Sequence, residues 1–367
     1  MVYNEIKHIL PHFQFQGTYA NAVELTSGNI NNTYKLTYQQ GDVTNFYTLQ
    51  HINKYVFRYP AEVLRNIELV TGHLTQAYER MRLDPARHVL ALIPVKGGEY
   101  LHQDNEGSFW RAYRFISGAT AYDAPKKAAH LFETGRAFGE FQKLLCDFPA
   151  DKLAATIPDF HNTSRRFYTF VASIAADKAG RACKVEDEIE FMFDKRTLMN
   201  RIVKKLDAGE IPIRVTHNDT KINNVLIDDE TDRATCVIDL DTVMPGSSLY
   251  DFGDAIRFCA STAAEDEEDL SKISLDIDRF RLFTEGFLSE VNGFLTEEEL
   301  RNLPLGVLVI TCELAMRFLT DYIDGDLYFK VRSPEHNLIR ARAQIRLFQD
   351  MEEKCGEMQR IVDELMR

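Results

Sequence analysis

A chain of 367 residues can hold two or three lobes with sizeable cores, and 45% hydrophobic with 27% charged residues is an ordinary globular balance. Lys plus Arg number 43 against 56 Asp plus Glu, and the net charge of −13 argues against sequence-independent binding to nucleic acid or anionic membrane. The six cysteines (146, 183, 236, 259, 312, 355) contain no C-x-x-C pair, so they suggest neither a zinc site nor a disulfide framework.

The opening MVYNEIKHILPHF carries early charges and lacks the apolar core of a signal peptide. No uninterrupted apolar run reaches the roughly 18 residues that a bilayer span requires. A cytoplasmic location is therefore expected. Residues 3 to 14 read as a short amphipathic helix with Ile6, Ile9 and Leu10 on one side. Residues 19 to 26 and 33 to 38 read as a hairpin around the loop Ser27-Gly28-Asn29-Ile30-Asn31-Asn32, and Phe46 to Gln50 as a third strand. Further strands are expected over 89 to 95, 99 to 102 and 109 to 116, with a helix over 60 to 78 between the two groups. Trp110 reads as core. After Ser117-Gly118, a natural lobe connector, the period changes to helical. Long helices are expected over 127 to 146 and 187 to 207, an apolar one over 306 to 323, and a mainly helical end over 335 to 366. His161, Arg165 and Arg166 read first as solvated or capping residues and second as substrate contacts.

The chemistry concentrates between Ile213 and Phe258. An apolar run ends in His217-Asn218-Asp219, and Asn224 closes an H-x-D-x4-N spacing. A second run, 225 to 227, meets the turn Asp228-Asp229-Glu230, and a third, 236 to 238, ends on Asp239. Asp and Asn between strands are usually turn residues. Here the spacing, the flanking runs, Lys221 and the strand-ending Asp239 agree on phosphoryl transfer. Asp219 would take the acceptor's proton, Lys221 would meet the transferred phosphate, and Asn224 and Asp239 would hold Mg²⁺. Asp251-Phe252-Gly253 also spells a kinase metal motif, but it starts 27 residues after Asn224, whereas Asp239 lies 15 after it. Asp251 is therefore read as a buried brace for the catalytic loop, and Asp241 as either a second metal ligand or a loop cap. Gln50 stands where a kinase third strand carries Lys. Lys54 is a weak substitute beyond the strand end, and Glu68 is only a formal candidate for the helix Glu that such a Lys pairs with. The acidic run 265 to 269 reads as opening a helix, and Arg317 and Asp321 as sharing a helix face, with Arg317 either in an internal ion pair or at substrate.

The HNDTKINN and VIDLD segments resemble the aminoglycoside phosphotransferase (choline kinase-like) family of protein-kinase-like folds. RVTHNDTKINN, IDLDTVMPGSSLYDFGDAIRF, MRFLTDYIDGDLYF and PEHNL are, more narrowly, similar to the N-acetylhexosamine 1-kinases. The resemblance implies an α+β bilobal fold. A small antiparallel-sheet nucleotide lobe (1 to 117) would precede a larger helical catalytic and sugar-binding lobe (118 to 367). It implies ATP and Mg²⁺ as cofactors and a small-molecule sugar as substrate, phosphorylated at its anomeric hydroxyl. Gly28, Asn29, Asn31, Asn32, Arg114 and Ile116 would border the nucleotide. Arg317 and Tyr328, with Asp219, would approach the sugar. Choline, homoserine or an aminoglycoside as acceptor, and a non-catalytic nucleotide-binding protein, remain the alternatives; oligomeric state has no signature.

Overall fold

The computed structural model describes residues 2–25 and 30–366, and the chain divides into two compact units. Its α+β composition, an antiparallel sheet followed by a helical region, is the class expected from the sequence. The first unit comprises residues 1–120, 147–157 and 226–244, and the second comprises 121–146, 158–225 and 245–367. Where the sequence suggests one boundary after residue 117, the chain instead returns twice to the first unit.

In the first unit, strands β1 (Thr18–Leu25), β2 (Asn32–Gln40), β3 (Val43–Ile52), β4 (His102–Gln103) and β5 (Phe109–Arg114) form one antiparallel sheet in the order β1-β2-β3-β5-β4. Alternate residues point to opposite faces. Tyr34, Leu36, Tyr38, Tyr47, Leu49, Trp110 and Ala112 therefore share one face, which packs against Ile6, Ile9, Phe13 and Ile93. Trp110 is core, as expected, and its indole N–H donates to Asp104 Oδ2 at 2.8 Å. The other face carries a cross-strand row, Thr33 beside Gln50 beside Arg111.

Helix α1 (Val2–Ile6) is shorter than expected, because Pro11 limits the rest of that segment to a 3-10 turn at Leu10–His12. Residues 89 to 95 form no strand; Leu92 and Val95 make isolated bridges only. Helix α2 (Pro60–Arg80) buries Val63, Leu64, Ile67, Val70 and Leu74, and α3 (Pro85–His88) is one turn capped by Asp84. Buried Asn66 on α2 donates to Ala154 O at 2.8 Å and Val243 O at 2.9 Å, and accepts from Ala154 N at 2.9 Å. One side chain thus ties both returning segments to α2.

Five short strands follow: β6 (Ala119–Ala121), β7 (Arg214–Thr216), β8 (Val225–Asp228), β9 (Ala234–Val237) and β10 (Met244–Gly246). The first, third and fourth make a small sheet in the order β6-β8-β9, and β7 pairs with β10.

The second unit is helical: α4 (Ala128–Leu144), α5 (Thr163–Ala176), α6 (Glu186–Met199), α7 (Arg201–Asp207), α8 (Ser248–Cys259), α9 (Ile277–Val291), α10 (Glu297–Arg301), α11 (Leu303–Asp324), α12 (His336–Glu353) and α13 (Cys355–Leu365). The single helix expected over 187 to 207 breaks at Asn200, and the carboxyl-terminal one breaks at Lys354. The acidic run 265 to 269 opens no α-helix; it lies before a 3-10 turn at Leu270–Lys272, and α9 starts at Ile277. Glycines set the two tightest crossings. A Cβ on Gly135 would come within 2.1 Å of Phe283 O, and one on Gly253 within 2.4 Å of Gly306 O. Helices α4 and α9, and α8 and α11, meet there backbone to backbone.

By length and composition α11 could cross a membrane, but 83% of its most apolar window is buried inside the fold. Its apolarity is that of a core helix wrapped by α5, α6, α8 and α12.

Candidate functional site

The catalytic-loop segment leaves β7 and turns sharply at Asn218, whose φ of +63° is a left-handed conformation that Asn tolerates better than most residues. Its side-chain oxygen accepts from Thr216 Oγ1 at 3.0 Å. Gly246 on the paired strand lies so close that a Cβ there would sit 2.4 Å from that hydroxyl. A small polar residue at 218 therefore fits where protein kinases usually carry Arg.

Asp251 holds this turn from below. Its Oδ2 accepts from His217 N at 2.9 Å and Gln142 Nε2 at 2.9 Å, and its Oδ1 accepts from Asn218 N at 2.7 Å. The bracing role expected of Asp251 is thus observed. Burial pushes its carboxyl above the ordinary range, against the pull of His217 and these donors. Asp251-Phe252-Gly253 lies within α8, with Gly253 at the crossing against Gly306. The triplet is thus part of a helix packed closely against α11. One turn on, Asp254 Oδ2 accepts from Thr220 N at 3.1 Å, and buried Arg257 grips the other oxygen at 2.8 and 3.0 Å.

On this platform Asp219 pairs with Lys221 at 2.9 Å. Asn224 Nδ2 donates to Asp219 O at 2.8 Å and to its Oδ2 at 3.2 Å, and Asp219 N donates to His217 Nδ1 at 3.3 Å. Burial would raise the Asp219 carboxyl, but Lys221, His217 and Asn224 outweigh it and hold it below the usual carboxylate range. Asp219 in turn holds the Lys221 ammonium above its ordinary value. The structure therefore brings Asp219, Lys221 and Asn224 together as the sequence spacing suggested. With its nitrogen committed, the Asn224 amide has its oxygen to offer a metal.

In the first unit, Asp239 ends the third apolar run with φ +60° and an exposed side chain. Asp241 is buried: Oδ1 pairs with Arg111 Nη1, and Oδ2 accepts from Asn31 Nδ2 at 2.7 Å. Of its two expected roles, second metal ligand or loop cap, neither is what these bonds describe: both oxygens are engaged by the side chains of Arg111 and Asn31. Asn31 Oδ1 also accepts from Asn53 N at 3.0 Å. Asn32 is exposed at the start of β2, whereas Gly28 and Asn29 lie outside the described residues. Arg114 N donates to Ala91 O at 2.8 Å and Phe115 N to Phe46 O at 3.0 Å, so two backbone donors near the expected adenine edge are committed to backbone carbonyls of the first unit; Ile116 is buried. Lys54 and Glu68 are exposed.

A cavity of about 180 Å³ opens within the second unit, lined by Arg166, Thr169, Arg317, Asp321, Tyr328 and Phe329 among others. Arg317 does not pair with Asp321, the other charge on its face. Asp321 spends its oxygens on the backbone N–H groups of Leu327, Tyr328 and Phe329 (2.7–2.9 Å) and on Asn337 Nδ2 at 2.8 Å. Arg317 instead lies 4.0 Å from Glu313 and over the rings of Phe160, Tyr328 and Phe329. Glu313 is already bonded to His161 Nδ1 at 3.1 Å. Arg166 bonds Phe160 O at 3.0 and 3.1 Å, and burial together with the Arg317 charge lowers its guanidinium from the ordinary value. Arg317 and Tyr328 thus line one cavity, joined by Arg166, which the sequence reading placed first among solvated or capping residues. Arg111, Gln142, Asp254 and Arg257 were also missed. Charged residues inside apolar stretches were the available signal for Arg111 and Arg257.

Several solved structures share the fold. An aminoglycoside phosphotransferase from Alicyclobacillus acidocaldarius aligns with a TM-score of 0.62 at 12% identity, covering 98% of this chain and 96% of that one. A spectinomycin phosphotransferase solved with ADP and spectinomycin aligns with a TM-score of 0.58 at 12% identity, covering 96% and 98%. A Plasmodium vivax ethanolamine kinase aligns with a TM-score of 0.55 at 12% identity, covering 89% and 82%. At such identities these likenesses speak for the fold alone. The family model described as "Phosphotransferase enzyme family" matches residues 22–283, well over half the sequence and all of the catalytic-loop segment, and the chain belongs to that family.

Proposed function

We propose that this protein is a sugar 1-kinase, transferring the terminal phosphoryl group of ATP to the anomeric hydroxyl of an N-acetylhexosamine such as GlcNAc or GalNAc. Asp219 acts as base and Lys221 neutralises charge on the transferred group. Nucleotide binding is supported by the family and by the ADP held in the spectinomycin phosphotransferase. The donor set suits Mg²⁺, which takes hard oxygens and commonly only one or two from protein beside substrate phosphates. The Asn224 amide oxygen and the exposed Asp239 carboxylate are such atoms. Among the described residues no group of three or more His, Cys, Asp or Glu could hold an ion unaided. When bound, the metal supplies charge neutralisation between the phosphates.

The commitment of Asp321 carries the acceptor reading. Choline, ethanolamine and aminoglycosides are cationic, and a cation beside Arg166 and Arg317 needs a carboxylate to offset them. Asp321 is occupied by three backbone N–H groups and Asn337, Glu313 is shared between His161 and, at 4.0 Å, Arg317 itself, and Asp324 accepts from Ser173 Oγ at 3.0 Å. Sugar hydroxyls and an acetamido carbonyl can accept from Arg and Tyr. The anomeric hydroxyl is also the most acidic of a sugar, which suits a base held below the ordinary carboxylate range. A coupled ADP-release assay over sugars and amines, with phosphorus NMR of the product, tests this. The expected product is a 1-phosphate, with GlcNAc and GalNAc preferred over glucose and galactose. A 6-phosphate, or strong activity only on choline or an aminoglycoside, would replace this acceptor with another of the same family.

The metal assignment has its own test. Asp239→Asn keeps the size of the side chain and removes its charge, so the protein should remain folded. The Mg²⁺ concentration for half-maximal activity should rise about tenfold or more, equivalent to roughly 1.4 kcal/mol. A steep loss of melting temperature with an unchanged Mg²⁺ requirement would remove Asp239 from this role.

A further inference from the structure

Gln50 occupies the third-strand position where a cation is expected, and the cross-strand register shows what lies beside it. Arg111 on β5 is its direct partner, and Arg111 Nε and Nη2 both donate to Gln50 Oε1, at 2.9 and 2.8 Å. Gln50 Nε2 donates onward to Thr33 Oγ1 at 3.2 Å. The remaining arm of the guanidinium pairs with Asp241 Oδ1, while Asn31 Nδ2 donates to Asp241 Oδ2. Arg111 and Asp241 are 1% and 4% exposed. The chain Thr33–Gln50–Arg111–Asp241–Asn31 therefore joins the start of β2, the middle of the sheet and the segment two residues beyond Asp239. It lies wholly within the first unit.

We propose that Arg111 takes over the work of the missing strand lysine, as a positioning residue that fixes the Asp239–Asp241 segment and the Asn31 loop end for a magnesium nucleotide. A lysine is a single point of charge, whereas the planar fork of Arg can grip Gln50 and Asp241 together. Gln50 is then the residue that orients the fork, not a gap in the site. Asp241 acts through Arg111 and Asn31, with its oxygens turned to protein donors. Burying this ion pair is costly unless geometry and extra hydrogen bonds compensate, and Gln50 and Asn31 supply those bonds. The inference rests on the phosphotransferase reading of the chain.

The test is calorimetric binding of Mg·ADP to the full chain, alongside acceptor KM, Mg²⁺ half-saturation and melting temperature. The proteins compared are wild type, Arg111→Gln, and the exchange Gln50→Lys with Arg111→Gln. Arg111→Gln should weaken Mg·ADP about tenfold and raise the Mg²⁺ requirement similarly, with acceptor KM within about twofold. The exchange moves the cation one strand sideways, about 5 Å, and should recover affinity to within about threefold of wild type. A folded Arg111→Gln protein with wild-type Mg·ADP affinity overturns the proposal. So does an exchange protein that folds but binds no better than Arg111→Gln. Should Arg111→Gln fail to fold, the exchange carries the test: near-wild-type binding supports the role, and a folded protein with about tenfold weaker binding overturns it. A wild-type protein that binds no Mg·ADP would instead sink the phosphotransferase reading on which the inference rests.

Discussion

Asp219→Asn is expected to lower kcat by about a hundred- to ten-thousand-fold, the usual loss when a general base is removed. The substitution keeps the shape of the side chain and its acceptor oxygen for Asn224, but it removes the charge that faces Lys221 at 2.9 Å. That pair is partly exposed, at 23% and 29%, so breaking it should cost no more than about 1 kcal/mol. Nucleotide affinity should stay within a few-fold, because Asp219 is assigned to the acceptor. The pH dependence follows from the sign of the shift. Lys221, His217 and Asn224 together depress the Asp219 carboxyl against the effect of burial. The base is thus ionised throughout the neutral and mildly acidic range, and an acid limb caused by Asp219 must lie below the ordinary carboxylate value. The stability the pair contributes is present above the unfolded-state pKa and is lost as pH falls through the depressed one. Single-turnover kinetics from pH 4.5 to 8 check this. Near-normal turnover in a well-folded Asp219→Asn protein would take Asp219 out of the role.

The parts of the site that were legible in the sequence are those in which a local pattern and its chemistry coincide. His217, Asp219, Lys221 and Asn224 lie within eight residues, so one tight loop brings them together whatever the rest of the fold does. Asp251 could be read as a brace because Asp239 ends an apolar run at a shorter interval, and the structure gives Asp251 the loop's backbone N–H groups. Gly253, which completes the triplet, is explained by a crossing with Gly306, 53 positions away, which no local pattern reveals.

The illegible parts depend on register and long-range packing. Nothing in FWRAYRF says that Arg111 stands opposite Gln50, since a one-residue slip in pairing would send it to the other face. The Arg317–Asp321 spacing is right for a helical ion pair. Yet it loses to three backbone N–H groups of the following turn, which no helix-face argument counts. The acidic run 265 to 269 resembles a helix start by charge, but it lacks an apolar face until Ile277. The strand expected over 89 to 95 has the right composition, but the edge beside β5 is shared with β4, so only isolated bridges form.

Asp251→Asn should be the most destabilising of these single changes and should slow catalysis only as a consequence. The carboxyl receives N–H donors on both oxygens: Asn218 N on one, His217 N and Gln142 Nε2 on the other. An amide can present an oxygen to only one side and must turn its own NH₂ toward the other. Gln142 can answer by flipping, because its own oxygen is buried without a hydrogen-bond partner and would then accept. A backbone N–H cannot flip. His217 N or Asn218 N is thus left facing another donor, in a site with 1% exposure and no ready access to water. Losing one strong hydrogen bond and leaving one buried donor unsatisfied should cost about 2–4 kcal/mol. For a chain of this size that corresponds to a melting temperature lower by roughly 3–5 °C. The left-handed turn at Asn218 would be freed with it, so kcat should fall while the Mg²⁺ requirement stays close to wild type. Thermal unfolding and Mg²⁺ titration of Asp251→Asn beside Asp239→Asn separate the two aspartates. A stable Asp251→Asn protein with a steep demand for Mg²⁺ would mean that the metal belongs to the helix triplet after all, and that Asp239 is only the end of a strand.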